Sequence, residues 1–218
     1  MDTTRNQPED CPTPQGGQCI KRAMGGDEFP TQSQARRIAV AAMLALLVWF
    51  VFSPCVSTEF FWDDDIAILD SPTVRDPAGI LRCWIGENTT DYQPLVYSLR
   101  WVQWRLWGKD ARPYHLTNIA LHSASAILLW VILKRLKIAS ALWCAAIFSI
   151  HPICVASVAW VAELKNTLSL FFSLLSLLLW LQYDLTGQRK TYVIALVAFA
   201  AALLSKGSAV VMPCVFVL

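Results

Sequence analysis

Charge is scarce in this chain. Lys, Arg, Asp and Glu make up 16% of 218 residues, against roughly a quarter in an ordinary soluble domain. The charges are also clustered, so long neutral stretches separate them. That excludes a water-facing globule, and at a net charge of +2 no nucleic-acid partner is expected. The seven cysteines and three histidines form no CxxC and no Cys/His pairing at metal-ligand spacing, which excludes a zinc framework. A secretory signal peptide is missing too: the first apolar run starts too far in, runs too long and lacks a small-residue cleavage site. Helical repeats of about 34 residues are absent as well.

What fills the chain instead is apolar sequence, 56% of it. A helix needs about 20 apolar residues to cross ~30 Å of hydrocarbon. Residues 38–57 meet that length without a charge, 114–133 with only His122 inside, and 138–162 with only His151. Residues 166–183 give a fourth run, 191–205 a shorter fifth of about 22 Å, and 207–218 the start of a sixth. In lipid only helices and closed barrels satisfy their backbone groups, and these runs are too long and too continuously apolar for barrel strands. The expectation is an all-α, multi-pass integral membrane protein with about five to six spans. Residues 1–37, rich in Pro, Gly, Gln and Thr, read as a disordered tail.

Three basic clusters test the orientation: Arg36-Arg37 before the first run, Lys134, Arg135 and Lys137 after the second, and Arg189-Lys190 after the fourth. The positive-inside rule puts all three, and the N-terminus, in the cytoplasm. The outer loop 58–113, the turn near 162–166 and Ser205-Lys206-Gly207 then share the opposite face, periplasmic, extracellular or lumenal. Within the loop, Glu59-Phe60-Phe61-Trp62 leads into three consecutive carboxylates, Asp63-Asp64-Asp65. Helix starts are expected near Asp76-Pro77 and Gln93-Pro94. The second of these helices carries Arg100, Trp101, Trp104 and Arg105, a pattern that suits indoles at headgroup depth with guanidinium groups near phosphates. Packing against neighbouring helices would give a similar pattern. Asn88-Thr89-Thr90 matches a glycosylation sequon. Cys83 is the one cysteine well inside the loop, with Cys55 as its candidate disulfide partner.

Polar residues recur at the outer helix ends. His115, Asn118 and His122 are spaced by three and four and share one helix face, which must find partners in a bundle interior or a wet cavity. His151-Pro152 breaks or kinks the third run. Glu163, Lys165, Asn166 and Lys206 complete the set. Carboxylates that can accept a hydroxyl proton, together with cations that can stabilise a phosphate leaving group, suit group transfer at a lipid-linked phosphate.

The motif order resembles the membrane domain of GT-C glycosyltransferases, nearest the branch of transmembrane-and-TPR O-mannosyltransferases and their bacterial TPR-bearing relatives. The resemblance runs from about Phe60 to Leu218. It is carried by Phe61-Trp62-Asp63-Asp64-Asp65, Tyr92-Gln93-Pro94-Leu95, Trp107-Gly108, Pro113-Tyr114-His115-Leu116-Thr117-Asn118, Leu121-His122, His151-Pro152, the stretch from Val158 to Asn166, and Leu203-Leu204-Ser205-Lys206-Gly207. It implies transfer of a mannose-like hexose from a polyprenyl-phosphate donor to an acceptor hydroxyl, protein Ser/Thr or a glycan, outside the cytoplasm. It implies Asp63 as the general base and Asp64 as the group that orients the acceptor or helps the base, with Asp65, beyond the pair, a loop charge. It assigns Lys165, Lys206 and His151, with Glu163 beside them, to the donor phosphate and His122 to the cavity wall. Members of the superfamily differ in their use of a divalent metal, which the residues leave undecided. The resemblance also implies more spans than are present and TPR repeats beyond them, so residues 38–218 are expected to be the N-terminal part of a longer membrane domain. A lipid-linked substrate transporter or flippase and a non-catalytic scaffold are the other readings.

Overall fold

The computed structural model describes residues 34–87 and 91–217, with side chains up to Cys214. The tail reading for residues 1–33, Cys11, Cys19 and the sequon at Asn88 lie outside the described residues. The rest is helical, with no strand among the described residues.

Helix α1 (Gln34–Phe52) starts one turn before the apolar run and takes Arg36 and Arg37 into its first turns. A 3-10 turn, Ser53–Ser57, extends it. The outer loop then folds as a five-residue π-helical turn (Asp65–Leu69), α2 (Pro72–Arg75), α3 (Gly79–Trp84) and α4 (Pro94–Trp107). Both expected loop helices are therefore present. Glycine is required at Gly79, where an added Cβ would stand 1.9 Å from the Thr73 carbonyl oxygen, so α3 meets α2 at backbone contact. Gly108 ends α4 at φ 55, ψ −120, a conformation open only to glycine.

The remaining elements are α5 (Arg112–Arg135), α6 (Ala141–Ile150), α7 (Val155–Ala159), α8 (Leu164–Thr186), α9 (Arg189–Ser205) and α10 (Met212–Val217). Gln34–Ser57, Arg112–Arg135 and Val161–Thr186 are long and apolar enough to cross a membrane. A fourth span exists if α6 and the 152–159 segment, bent by 49° at His151, count as one. The expected five to six spans are thus reduced. Helix α9 has 17 residues, about 25 Å, and the sixth run is a 3-10 turn followed by six helical residues.

Small side chains decide how the helices pack, because lipid offers no hydrophobic drive between them. Ala141, Ala145 and Ser149 form the buried stripe of α6, with Ala141 and Ala145 in contact with Leu44 of α1 and Trp130 of α5. On α9 the buried residues are Ala195, Ala198, Ala202 and Ser205, facing Ser169, Ser173 and Ser176 of α8. Backbones come close enough there for Ser169 Oγ to donate to the Ala202 carbonyl at 3.1 Å and Ser176 Oγ to the Ala195 carbonyl at 2.9 Å. The outward face of α1, including Ile38, Leu46 and Phe50, stays exposed, as a lipid-facing surface requires.

Candidate active site

Two neighbouring carboxylates receive opposite environments. Asp64 is fully buried. Its Oδ1 accepts from the Ala162 N–H at 2.6 Å and its Oδ2 from the Phe61 N–H at 3.3 Å. From the other side, Arg100 Nη2 donates to the Ala162 carbonyl at 2.6 Å. The Ala162 residue is therefore held at its N–H by the acidic loop and at its carbonyl by α4. Burial pushes the Asp64 pKa up; the Ala162 and Phe61 N–H groups and the Arg100 charge oppose that rise. Asp63 is exposed, and its carboxylate accepts no hydrogen bond from the described residues.

The turn that carries Asp63 is fixed at both ends. The Asp64 N–H donates to the Phe61 carbonyl and the Asp65 N–H to the Trp62 carbonyl, each at 3.2 Å. Between them Trp62 sits at φ 56, left-handed backbone that an aromatic residue rarely adopts. Phe61 stacks on Trp160 at 5.9 Å and 10°, and Trp62 leans on the same ring at 5.7 Å and 40°.

A second polar group lies at the start of α8. Lys165 Nζ pairs with Glu163 Oε1 at 3.2 Å, Asn166 Nδ2 donates to Glu163 Oε2, and Lys206 Nζ donates to Asn166 Oδ1 at 2.5 Å. The structure thus joins Glu163, Lys165 and Lys206 in one network, with Asn166 as the link. The extended backbone of Lys206, beyond the end of α9, carries its ammonium there. His151 is exposed at the α6 bend, where its Nδ1 accepts from the Ile153 N–H at 3.2 Å. That places the ring proton on Nε2, a donor with no protein partner among the described residues.

His122 is buried, its Nε2 lies 3.1 Å from the Ser149 carbonyl oxygen, and its ring is packed by Phe52 and Phe148. His115 and Asn118 on the same face likewise reach fixed partners, Thr58 Oγ1 at 3.2 Å and the Trp160 carbonyl at 2.9 Å. Arg100, expected near lipid phosphate, is 5% exposed and turned inwards. Trp101 Nε1 donates to the Asp76 carbonyl at 2.9 Å, Arg105 donates to the Val74 and Arg75 carbonyls, and Arg75 lies over the Trp104 ring at 5.6 Å. Helix α4 therefore holds the outer loop together with the residues assigned to the interface. Cys55 and Cys83 are both free thiols.

Sequence reasoning missed two features. Asp65, with Glu59, Lys109 and the Asp110–Arg112 ion pair, lines an open cleft of about 720 Å³ that also has apolar walls. The Asp64–Ala162–Arg100 clamp joins residues far apart in the chain, and no local pattern announces it. Among the described residues no three His, Cys, Asp or Glu side chains converge to hold a metal ion.

Residues 91–218 match the family model described as dolichyl-phosphate-mannose-protein mannosyltransferase. The chain is 22% identical over 170 residues to the protein O-mannosyl-transferase F38B6.6 of Caenorhabditis elegans, covering 71% of this chain and 25% of that protein. It is 29% identical over 175 residues to the protein O-mannosyl-transferase TMTC1 of Homo sapiens, covering 72% of this chain and 20% of that protein. The match spans a quarter or less of either relative's length. No solved structure matches.

Proposed function

The chain belongs to the dolichyl-phosphate-mannose-protein mannosyltransferase family, and on that basis we propose that it is the catalytic-loop portion of an integral membrane mannosyltransferase. The donor is mannose on a polyprenyl phosphate, the acceptor a protein hydroxyl, and the reaction takes place on the non-cytoplasmic face. The observation that carries this reading is the split between Asp63, exposed and unpaired, and Asp64, buried and clamped. A general base must be reachable by the proton it takes, and a neighbour with both oxygens engaged can hold it in place.

In the proposed step Asp63 accepts the proton of the acceptor hydroxyl as its oxygen attacks the anomeric carbon. The bond from that carbon to the phosphate oxygen breaks, polyprenyl phosphate leaves, and configuration inverts. Lys165 and Lys206 offset the growing phosphate charge, positioned by Glu163 and Asn166, and the His151 Nε2–H donates to a phosphate oxygen.

Replacing Asp63 by Asn in the full-length protein is expected to lower transfer from polyprenyl-phosphate mannose by about 10²- to 10⁴-fold with thermal stability unchanged. Undiminished transfer would remove Asp63 from the chemistry. Substrate movement across vesicles without transfer would favour a flippase instead.

A further inference from the structure

We propose that the exposed indole of Trp62 is a stacking platform for a hexopyranose ring, beside the Asp63 carboxylate. The inference rests on the transfer reading above for the origin of the sugar, and on the following observations for the platform itself. Trp62 is 77% exposed, although burying an indole is among the largest apolar gains a side chain offers. It is also held in left-handed backbone at φ 56, a conformation shared among described non-glycine residues only with Lys137. Nothing local favours that conformation. The turn is closed by the two bonds between Phe61 and Asp64 and anchored from outside by the Ala162 N–H on Asp64 Oδ1, and strain of this kind persists only where the surroundings over-determine it. The consequence is that the two central residues of the turn, Trp62 and Asp63, are both presented outwards.

The indole also has a fixed backing. It leans on Trp160, which Phe61 stacks against and whose carbonyl Asn118 holds at 2.9 Å. Neighbouring exposed charges narrow the ligand. Glu59, Asp63 and Asp65 all lie within this segment, so an uncharged ring is favoured over an anionic group on the indole itself. A neutral ring with an apolar C–H face and a rim of hydroxyls fits both parts: the face packs on the indole and a hydroxyl donates to Asp63.

The test compares Trp62→Phe, which keeps a ring, with Trp62→Leu, which keeps only apolar bulk, in the full-length protein in detergent. The probe is methyl α-D-mannopyranoside, followed by ligand-detected NMR. Wild type and Trp62→Phe are expected to bind saturably, and Trp62→Leu about tenfold more weakly, as loss of one stacking contact would give. Equal binding by all three, or no saturable binding by wild type, overturns the platform. Sugar binding left intact in Trp62→Asp would also overturn it. Steady-state transfer then identifies the source of the ring. A raised donor KM assigns the platform to the donor hexose, a raised acceptor KM to an acceptor glycan, and a change in neither overturns the proposal. Trp62-dependent binding by a protein that transfers no sugar would keep the platform and sink the transferase reading. Asp63-dependent transfer without Trp62-dependent binding would do the reverse.

Discussion

The polar face of α5 and the charged group at the start of α8 are both polar clusters near helix N-termini, and they are built differently. On α5, Asn118 holds the Trp160 carbonyl, His122 lies against the Ser149 carbonyl and His115 meets Thr58. At α8, Glu163, Lys165, Asn166 and Lys206 bond one another through side chains. A side chain committed to a buried backbone carbonyl cannot leave without orphaning it. Side chains that satisfy each other in a half-buried setting can exchange partners when an anion arrives. The first cluster is tied to backbone and to Thr58, and the second is the one we propose for binding, although both read alike as polar residues next to apolar runs.

Breaking the architectural side should give the largest effect. Asp64→Ala orphans the buried Ala162 N–H and the partly buried Phe61 N–H, so a loss of about 1–3 kcal/mol per orphaned group is expected, measured by thermal unfolding in detergent. The Asp64 carboxyl also predicts the sign of a pH dependence. Its pKa is raised in the folded protein, so between the ordinary carboxylate range and that raised value the folded state binds more protons than the unfolded one. Stability from this group therefore falls as pH rises through that window and is flat above it. The advantage of wild type over Asp64→Asn should grow as pH is lowered from 7 through the raised pKa. An advantage that shrinks would contradict the burial of the charge.

A smaller loss is expected on α5. Asn118→Leu removes the bond to Trp160 and the one from Thr167 Oγ1, for about 1 kcal/mol, the scale of interhelical hydrogen bonds in membranes. Because Trp160 backs the aromatic turn, a parallel drop in transfer is expected, one that restoring side-chain volume does not rescue. Unchanged stability with lost transfer would move Asn118 out of the architecture and into the site.

The difference between the clusters also explains what was legible in the sequence. The helical class, the break at His151-Pro152, the loop helix from Pro94 and the nearness of Glu163 to Lys165 all follow from period, proline chemistry and short separation. The inward turn of Arg100 does not, because α4 has polar and aromatic residues on more than one face and only the Ala162 carbonyl, 62 residues away, selects the guanidinium. The partner of His122 is hidden in the sequence for a related reason. A histidine in an apolar run looks the same whether it faces a cavity or a carbonyl freed at the next helix end. Among the described residues three to four helices are long enough to span, because Pro152 bends the third run by 49° and the fifth is a 17-residue helix.

The last test sharpens the comparison where the expected stability change is smallest. Lys165→Met and Lys206→Met each remove one cation from a half-buried network, in which an exposed or partly exposed pair contributes about 0–1 kcal/mol. Folding should therefore hardly change. Donor recognition should change more, because the phosphate loses a charge-assisted contact, a class worth about 1.5–3 kcal/mol, or roughly 10- to 100-fold in donor KM. Arginine at position 165 should recover part of that loss, since it restores the charge at Glu163, while glutamine should not. If both methionine variants unfold like Asp64→Ala and keep their donor KM, the α8 group is architecture of the same kind as the α5 face. The donor phosphate must then be held by residues outside it, His151 first among them.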